Sequence, residues 1–226
     1  MSGMQKTVHI IVAAGAGSRF GADVPKQFCT LKGLPVVMHA INRFRQSCPG
    51  DRIVLVLSAG MIEFWHELCA RHGFDSPEIV AGGSTRWHSV KNAVDSACGD
   101  ADIITVHDGA RPLVSTEVIT RVLGAVAKTG AVIPTVPVTD SLRIVTDNGN
   151  SSVNRSLYRA VQTPQAFDGN LLRSAYSAPF SPTFTDDASV AESRGAKITI
   201  VDGDPTNIKI THPRDLAIAG IILDGD

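Results

Sequence analysis

The sequence predicts an α/β protein: a doubly wound, mostly parallel, Rossmann-like sheet covered by helices on both faces, with a projecting β-hairpin arm. Three observations predict it. Short β-branched runs alternate with helix-periodic segments from residue 8 to residue 136. Glycines stand at the ends of those segments, where chains turn. The alternation then breaks once, between residues 137 and 164, where strand-like pieces flank a polar turn.

Residues 8–12 (Val-His-Ile-Ile-Val) form the kind of run that is buried on both faces of a parallel sheet. Residues 34–48 carry Val37, Met38, Ile41 and Phe44 at helical spacing, with Pro35 suited to a first turn. A strand over 52–57 leads to a helix over 61–72, closed by Gly73. A short strand over 78–81 ends in Gly82-Gly83, and a helix over 85–97 follows. The strand over 101–106 runs into Asp108-Gly109. Ser115 caps a helix over 116–128 that Gly130 ends, and 131–136 returns as a strand. In the 137–164 arm, 141–145 and 157–161 read as strands around Asp147-Asn148-Gly149-Asn150. A two-stranded arm is marginal by itself, so it predicts pairing with a second copy and a homodimer. A helix over 186–193, a strand over 197–201 and a helix over 213–222 complete a single domain spanning 1–226.

Composition narrows the function classes. The chain is 43% hydrophobic with a formal net charge of −1, which predicts neither a nucleic-acid nor a membrane partner. Its 4 cysteines form no Cys-x-x-Cys pair and its 7 histidines no ligand spacing, so the thiols read as reduced, in a cytoplasmic protein. No basic-then-apolar leader opens the sequence, and its apolar runs are too short to span a bilayer.

The polar residues gather after the strands, where open α/β sheets bind ligands. Ala13-Ala14-Gly15-Ala16-Gly17 has almost no side chains, and Arg19 and Lys26 follow within reach. Bare main chain followed by cations suits phosphates; the plainer alternative is a tight turn with two surface charges. Phe20 occupies the place of the third glycine in a dinucleotide fingerprint, and no Gly-Lys-Ser/Thr triplet exists. What remains suits a nucleoside triphosphate in an open loop. Later strand ends supply Gly82-Gly83-Ser84-Thr85-Arg86, then His107 to Arg111, Thr139-Asp140-Ser141 and Asn207-Ile208-Lys209. Asp108 is the strand-end carboxylate suited to a magnesium ion or to ribose hydroxyls. With no activated serine or cysteine in view, direct displacement is the expected chemistry.

Taken in order, these blocks resemble the 2-C-methyl-D-erythritol 4-phosphate cytidylyltransferase family. The resemblance rests on residues 13–19, Pro25-Lys26-Gln27-Phe28, Gly82-Gly83 with Arg86 and Ser89, and 106–112. It continues through 137–141, Gln162-Thr163-Pro164-Gln165, 185–189 and 207–211. It implies transfer of CMP from CTP to the sugar-alcohol phosphate, by in-line attack on the α-phosphorus with Mg2+ or another divalent cation present. By resemblance Arg19, Lys26 and Lys209 are catalytic and surround the phosphates. Ala13, Ala14, Gly15, Gly17, Gly82, Ser89 and Asp108 would hold the nucleotide, Asp108 also touching the metal. The polyol phosphate would meet Arg111 and Thr163, with Ser141 and Arg155 reaching it from the arm of a second subunit. Ser141 stands where many relatives have threonine, and Gly109 where many have alanine. Relatives that transfer CMP to ribitol 5-phosphate share most of these blocks and define the same-chemistry alternative. A catalytically idle nucleotide-binding relative is the alternative from another class.

Overall fold

The computed structural model describes residues 5–15 and 24–225. In chain order, β1 (Thr7–Val12) is followed by a small hairpin, β2 (Thr30–Leu31) and β3 (Leu34–Pro35), and by α1 (Val36–Ser47). Then come β4 (Arg52–Leu57), α2 (Ile62–His72), β5 (Glu78–Ala81), α3 (Arg86–Ala97), β6 (Ile103–Asp108), α4 (Thr116–Thr129) and β7 (Ala131–Pro137). The arm hairpin is β8 (Arg143–Thr146) with β9 (Gly149–Ser152). The chain returns through β10 (Arg159–Val161), β11 (Gln165–Asp168), α5 (Gly169–Tyr176), α6 (Asp187–Glu192), β12 (Thr199–Asp202) and α7 (Pro213–Gly225).

An 8-stranded sheet organises these elements, in the order β10-β7-β11-β6-β1-β4-β5, with β12 also paired to β7. β1 lies parallel between β4 and β6, and β4 pairs parallel with β5. Successive side chains of a strand point to opposite faces, and here both faces are apolar. Ile11, Ile53, Leu55 and Leu57 join the core under α1, α2 and α4. Val8, Ile10, Val54 and Val56 join the core under α3, α5 and α6. Burying each such aliphatic side chain stabilises the fold by about 1.5–3 kcal/mol. The doubly wound expectation holds through this half of the sheet.

Helix ends follow the predicted chemistry. Gly73 closes α2 at φ 58°, and Gly130 closes α4 at φ 79°, both in the left-handed region that glycine enters without strain. The Ser115 hydroxyl accepts the Val118 N–H at the start of α4. Pro35 sits one residue before α1 rather than in its first turn, because its extended ψ of 141° pairs it with Thr30 in the small hairpin.

The second half departs from expectation. β7 does not lie beside β6; β11 runs antiparallel between them. Only four residues long, β11 carries no βαβ signature, yet Ala166 and Phe167 face opposite cores and are both fully buried. The arm also pairs differently. Residues 143–146 pair with 149–152, not with 157–161, and β10 joins the main sheet against β7. A two-residue connection explains the closer partner: Thr146 opposes Gly149, whose φ of 127° takes the left-handed backbone of the turn. Both arm strands are exposed along their whole length.

Candidate active site

The parallel strands β1, β4 and β6 end together, and carbonyls at the ends of β1 and β4 hold the loops that follow. Ala13 N–H donates to Val56 O at 2.8 Å, Gly82 N–H to Leu57 O at 2.7 Å and Gly109 N–H to Val12 O at 2.9 Å. Side chains would disturb this seam. A Cβ on Gly82 would lie 2.6 Å from the Ala14 Cβ, and one on Gly109 would lie 3.0 Å from the Ala13 Cβ. At Gly15 a Cβ would meet nothing within 4 Å among the described residues, and the main chain there opens onto a cavity of about 400 Å³.

Gln27 fastens the near wall. Its buried amide donates to Ala13 O at 2.7 Å and to Gly15 O at 2.9 Å, tying the bare loop to the Lys26–Phe28 helical turn. Lys26 is thereby set at the cavity's edge. On another side, α3 begins with Thr85 as its cap, and its N-terminal end carries partial positive charge. Ser89 spans that corner, accepting the Gly83 N–H at 3.1 Å and donating to Thr85 O at 2.9 Å.

Asp108 is the one carboxylate lining the cavity among the described residues, and three cations surround it. Lys209 Nζ is 2.9 Å from Oδ2, Arg111 Nε 3.5 Å from Oδ2, and Arg86 Nε 3.7 Å from Oδ1. Burial pushes the Asp108 pKa up, but Arg86, Lys209 and Arg111 outweigh it and hold the carboxyl well below the usual carboxylate range. Asp108 therefore stays ionised, and the cavity keeps a surplus of positive charge.

Two connections place these cations. Ile210 is fully buried and its N–H donates to Ala110 O at 2.8 Å, so Lys209 beside it is turned to the cavity. Arg111 donates to Asn207 O at 2.7 Å, and Asn207 donates to Thr163 O at 2.9 Å, anchoring the same segment. Arg86 makes a two-pronged pair with Asp187, at 3.1 and 2.6 Å, and Tyr176 donates to the same carboxylate at 2.6 Å.

Lys26, Lys209, Asp108, Ala13, Ala14, Gly15 and Ser89 thus converge on one cavity. Gly82 lies under its floor against Ala14. Gly17 and Arg19 lie outside the described residues. Arg111 packs behind Asp108 rather than lining the cavity, and Thr163 lies deeper. The Thr163 hydroxyl accepts the Asp108 N–H at 3.0 Å and faces His107 Nδ1 at 3.1 Å. His107 Nε2 faces Arg111 O at 3.0 Å, so the ring proton sits on Nε2 and Nδ1 accepts from Thr163. Burial lowers the His107 pKa to about 4, which keeps the ring neutral near pH 7. Thr163 is 4% exposed, and its hydroxyl is thus engaged beneath Asp108 within the chain. Thr163→Val is expected to destabilise the fold by about 1–3 kcal/mol by leaving the Asp108 N–H unpaired. The Michaelis constant for the acceptor should stay unchanged, as urea unfolding and steady-state kinetics would register together.

Ser141 and Arg155 do not reach this cavity within one chain. Ser141 is exposed at the root of the arm. Arg155 donates to Thr139 O and lines a separate hollow of about 430 Å³ with Pro137, Tyr158 and Arg159. Gln27 and Asp187 lie in blocks that the sequence singled out but carried no assigned role there, and Tyr176 was not singled out. Asp187 had one local signal: Asp186 and Ser189 form a capping box that fixes where α6 starts, which makes the adjacent acid an inward-facing one.

Among the described residues, Asp108 is the one carboxylate that a divalent cation at this cavity could take as a ligand. Asp108 fits that part, since magnesium is commonly held by one or two carboxylates, substrate phosphates and water. Lys209 would then turn from Asp108 toward the phosphates.

Bare strand-end main chain ringed by cations, on a doubly wound sheet, defines an α/β nucleotidyltransferase. The family model for 2-C-methyl-D-erythritol 4-phosphate cytidylyltransferase matches residues 7–225. The chain belongs to that family. It is 45% identical to the 2-C-methyl-D-erythritol 4-phosphate cytidylyltransferase of Bacteroides fragilis over 215 residues, covering 95% of this chain and 98% of the relative. It is 46% identical to the Porphyromonas gingivalis protein of the same name over 221 residues, covering 97% and 98%. Among solved structures, the Thermus thermophilus 2-C-methyl-D-erythritol 4-phosphate cytidylyltransferase superposes with a TM-score of 0.76 at 30% identity, covering 98% of this chain and 100% of that one. The Anaerococcus prevotii 4-diphosphocytidyl-2C-methyl-D-erythritol synthase gives 0.82 at 26% identity, covering 97% and 99%.

Proposed function

We propose that this chain transfers CMP from CTP to 2-C-methyl-D-erythritol 4-phosphate, giving 4-diphosphocytidyl-2-C-methyl-D-erythritol and pyrophosphate. The supporting observation is the convergence of Lys26, Lys209 and the bare 13–15 main chain on one cavity, in a chain of this family. Cytosine packs against Ala13, Ala14 and the Gly82–Ser89 corner, where side chains are smallest. Lys26 and Lys209, with Arg19, screen the triphosphate so that a second anion can approach the α-phosphorus in line. Pyrophosphate leaves without a covalent enzyme intermediate. Mg2+ or another divalent cation neutralises phosphate charge when bound, with Asp108 as its protein ligand.

A screen of CTP and UTP against methylerythritol and ribitol phosphates, read by pyrophosphate release, tests the assignment. Turnover is expected with CTP and methylerythritol phosphate, and Lys26→Ala is expected to abolish it. Faster turnover with the ribitol substrate would reassign the acceptor, and CTP binding with no turnover on either would make the chain an idle nucleotide binder.

The working unit is a homodimer in which the 137–164 arm brings Ser141 and Arg155 to the neighbouring subunit's acceptor. Exposed Ile144, Val145, Leu157 and Val161 supply the apolar surface that pairing would cover. Mixing inactive Lys26→Ala with inactive Arg155→Ala chains is expected to restore turnover, because each mixed dimer holds one intact composite site. No recovery would mean that Arg155 serves its own subunit. A cytoplasmic location accords with four free thiols, and among the described residues no helix is long and apolar enough to cross a membrane.

A further inference from the structure

At the far end of β1 from the cavity, Cys48-Pro49-Gly50-Asp51 makes a tight turn between α1 and β4. The Asp51 N–H donates to Cys48 O at 3.2 Å, and Gly50 takes a φ of 94°. Proline second and left-handed glycine third are the residues that a type II turn demands. Such a turn brings the side chains at its first and fourth positions to one side. Paired-cysteine zinc sites bring together two ligands separated by the same two residues.

A third ligand comes from the sheet. His9 is fully buried on β1, with Nε2 3.1 Å from Asp51 Oδ2. Its Nδ1 is 2.8 Å from Thr105 Oγ1 on β6, which fixes the plane of the ring. Ligand atoms of His9, Cys48 and Asp51 all lie within 4.8 Å of one another. Tetrahedral zinc with bonds of about 2.0–2.3 Å needs ligands roughly 3.5 Å apart, so small side-chain rotations suffice.

We propose that His9 Nε2, Cys48 Sγ and Asp51 Oδ form a binding site for a thiophilic divalent cation of the zinc class, with water as the fourth ligand. The site is separate from the catalytic cavity: four residues along β1 from His9 to Ala13 span about 13 Å. Nitrogen, sulfur and oxygen together select zinc-like ions over magnesium, which prefers oxygen alone. Thr105 accepts the Nδ1 proton in the bound form, the supporting contact that ligating histidines characteristically make. Binding displaces the Cys48 thiol proton to solvent, and the cation's charge offsets the thiolate beside Asp51. Asp51 is 30% exposed, which leaves an entry path and room for the water. The ion would clip the α1–β4 turn to β1 and raise the melting temperature.

The test is Co2+ titration of the full chain with Mg2+ in excess, so that oxygen-only sites are filled. One equivalent is expected to give a near-ultraviolet thiolate-to-cobalt band and visible bands of tetrahedral intensity. Cys48→Ser should abolish the thiolate band while leaving pyrophosphate release unchanged, and Thr105→Val should weaken Co2+ binding about 10–100-fold. Asp108→Asn should leave both bands intact. No thiolate band in the unsubstituted chain, or the same band in Cys48→Ser, would overturn the site.

Discussion

Lys209→Ala is expected to lower kcat/KM for pyrophosphate release about 100- to 1,000-fold, the effect typical of removing one donor aimed at developing charge. The magnitude follows from what Lys209 faces. A triphosphate and an incoming phosphate repel one another, and few groups in the cavity offset that repulsion. Among the described residues Lys209 is also the cation nearest Asp108, at 2.9 Å. Removing it leaves Arg111 and Arg86, at 3.5 and 3.7 Å, as the described cations beside Asp108. The second loss has its own signature. A carboxyl whose folded pKa is depressed contributes stability that is present above its unfolded value near 3.9 and lost as pH falls through the folded one. With Lys209 gone the folded pKa rises toward the unfolded value, so stability near pH 7 falls and acid unfolding begins at higher pH. Lys209→Ala/Asp108→Asn should recover most of the stability and none of the turnover. Undiminished turnover in Lys209→Ala would remove the screening mechanism.

Physical reasons separate what the sequence disclosed from what it concealed. The β1, β4 and β6 framework was legible because buried parallel strands read as continuous β-branched runs, and helix ends at Gly73 and Gly130 announce themselves by glycine. The cation-bearing loops were legible for a related reason: a doubly wound sheet sends the loops after its strands to one edge. β11 was hidden because four residues containing Gln165 and Asp168 carry too little pattern to compete with a hairpin reading. Pairings between distant residues left no local trace either. Gln27 answers carbonyls at 13 and 15, Thr163 answers an N–H at 108, and Arg86 finds its partner 101 positions later. Thr163 shows the limit of motif reasoning: the motif places the residue by the site but does not disclose the contacts its hydroxyl makes below the surface.

Asp187→Ala should produce the largest stability loss, about 3–5 kcal/mol, the usual consequence of removing one partner from a buried charge pair. Asp187 is fully buried and accepts three hydrogen bonds, two from Arg86 and one from Tyr176. Among the described residues, its removal leaves Arg86 facing Asp108 at 3.7 Å as its remaining carboxylate, and the buried Tyr176 phenol without the acceptor it has now. Tyr176 does not compensate by ionising, since burial, the largest cause of its raised pKa, persists when Asp187 is gone. Tyr176→Phe removes one bond and leaves the charge pair whole, so it should cost only about 1 kcal/mol. Urea unfolding of both variants reads the difference directly, as a shift in midpoint at constant slope. Function should follow in a specific way. Arg86 lines the cavity, and without Asp187 its guanidinium is drawn toward Asp108, into the space that the proposed reaction assigns to the phosphates. The Michaelis constant for CTP is therefore expected to rise in Asp187→Ala and to stay near the parent value in Tyr176→Phe. Equal destabilisation by the two substitutions would mean that the phenol, rather than the ion pair, holds α6 against the sheet.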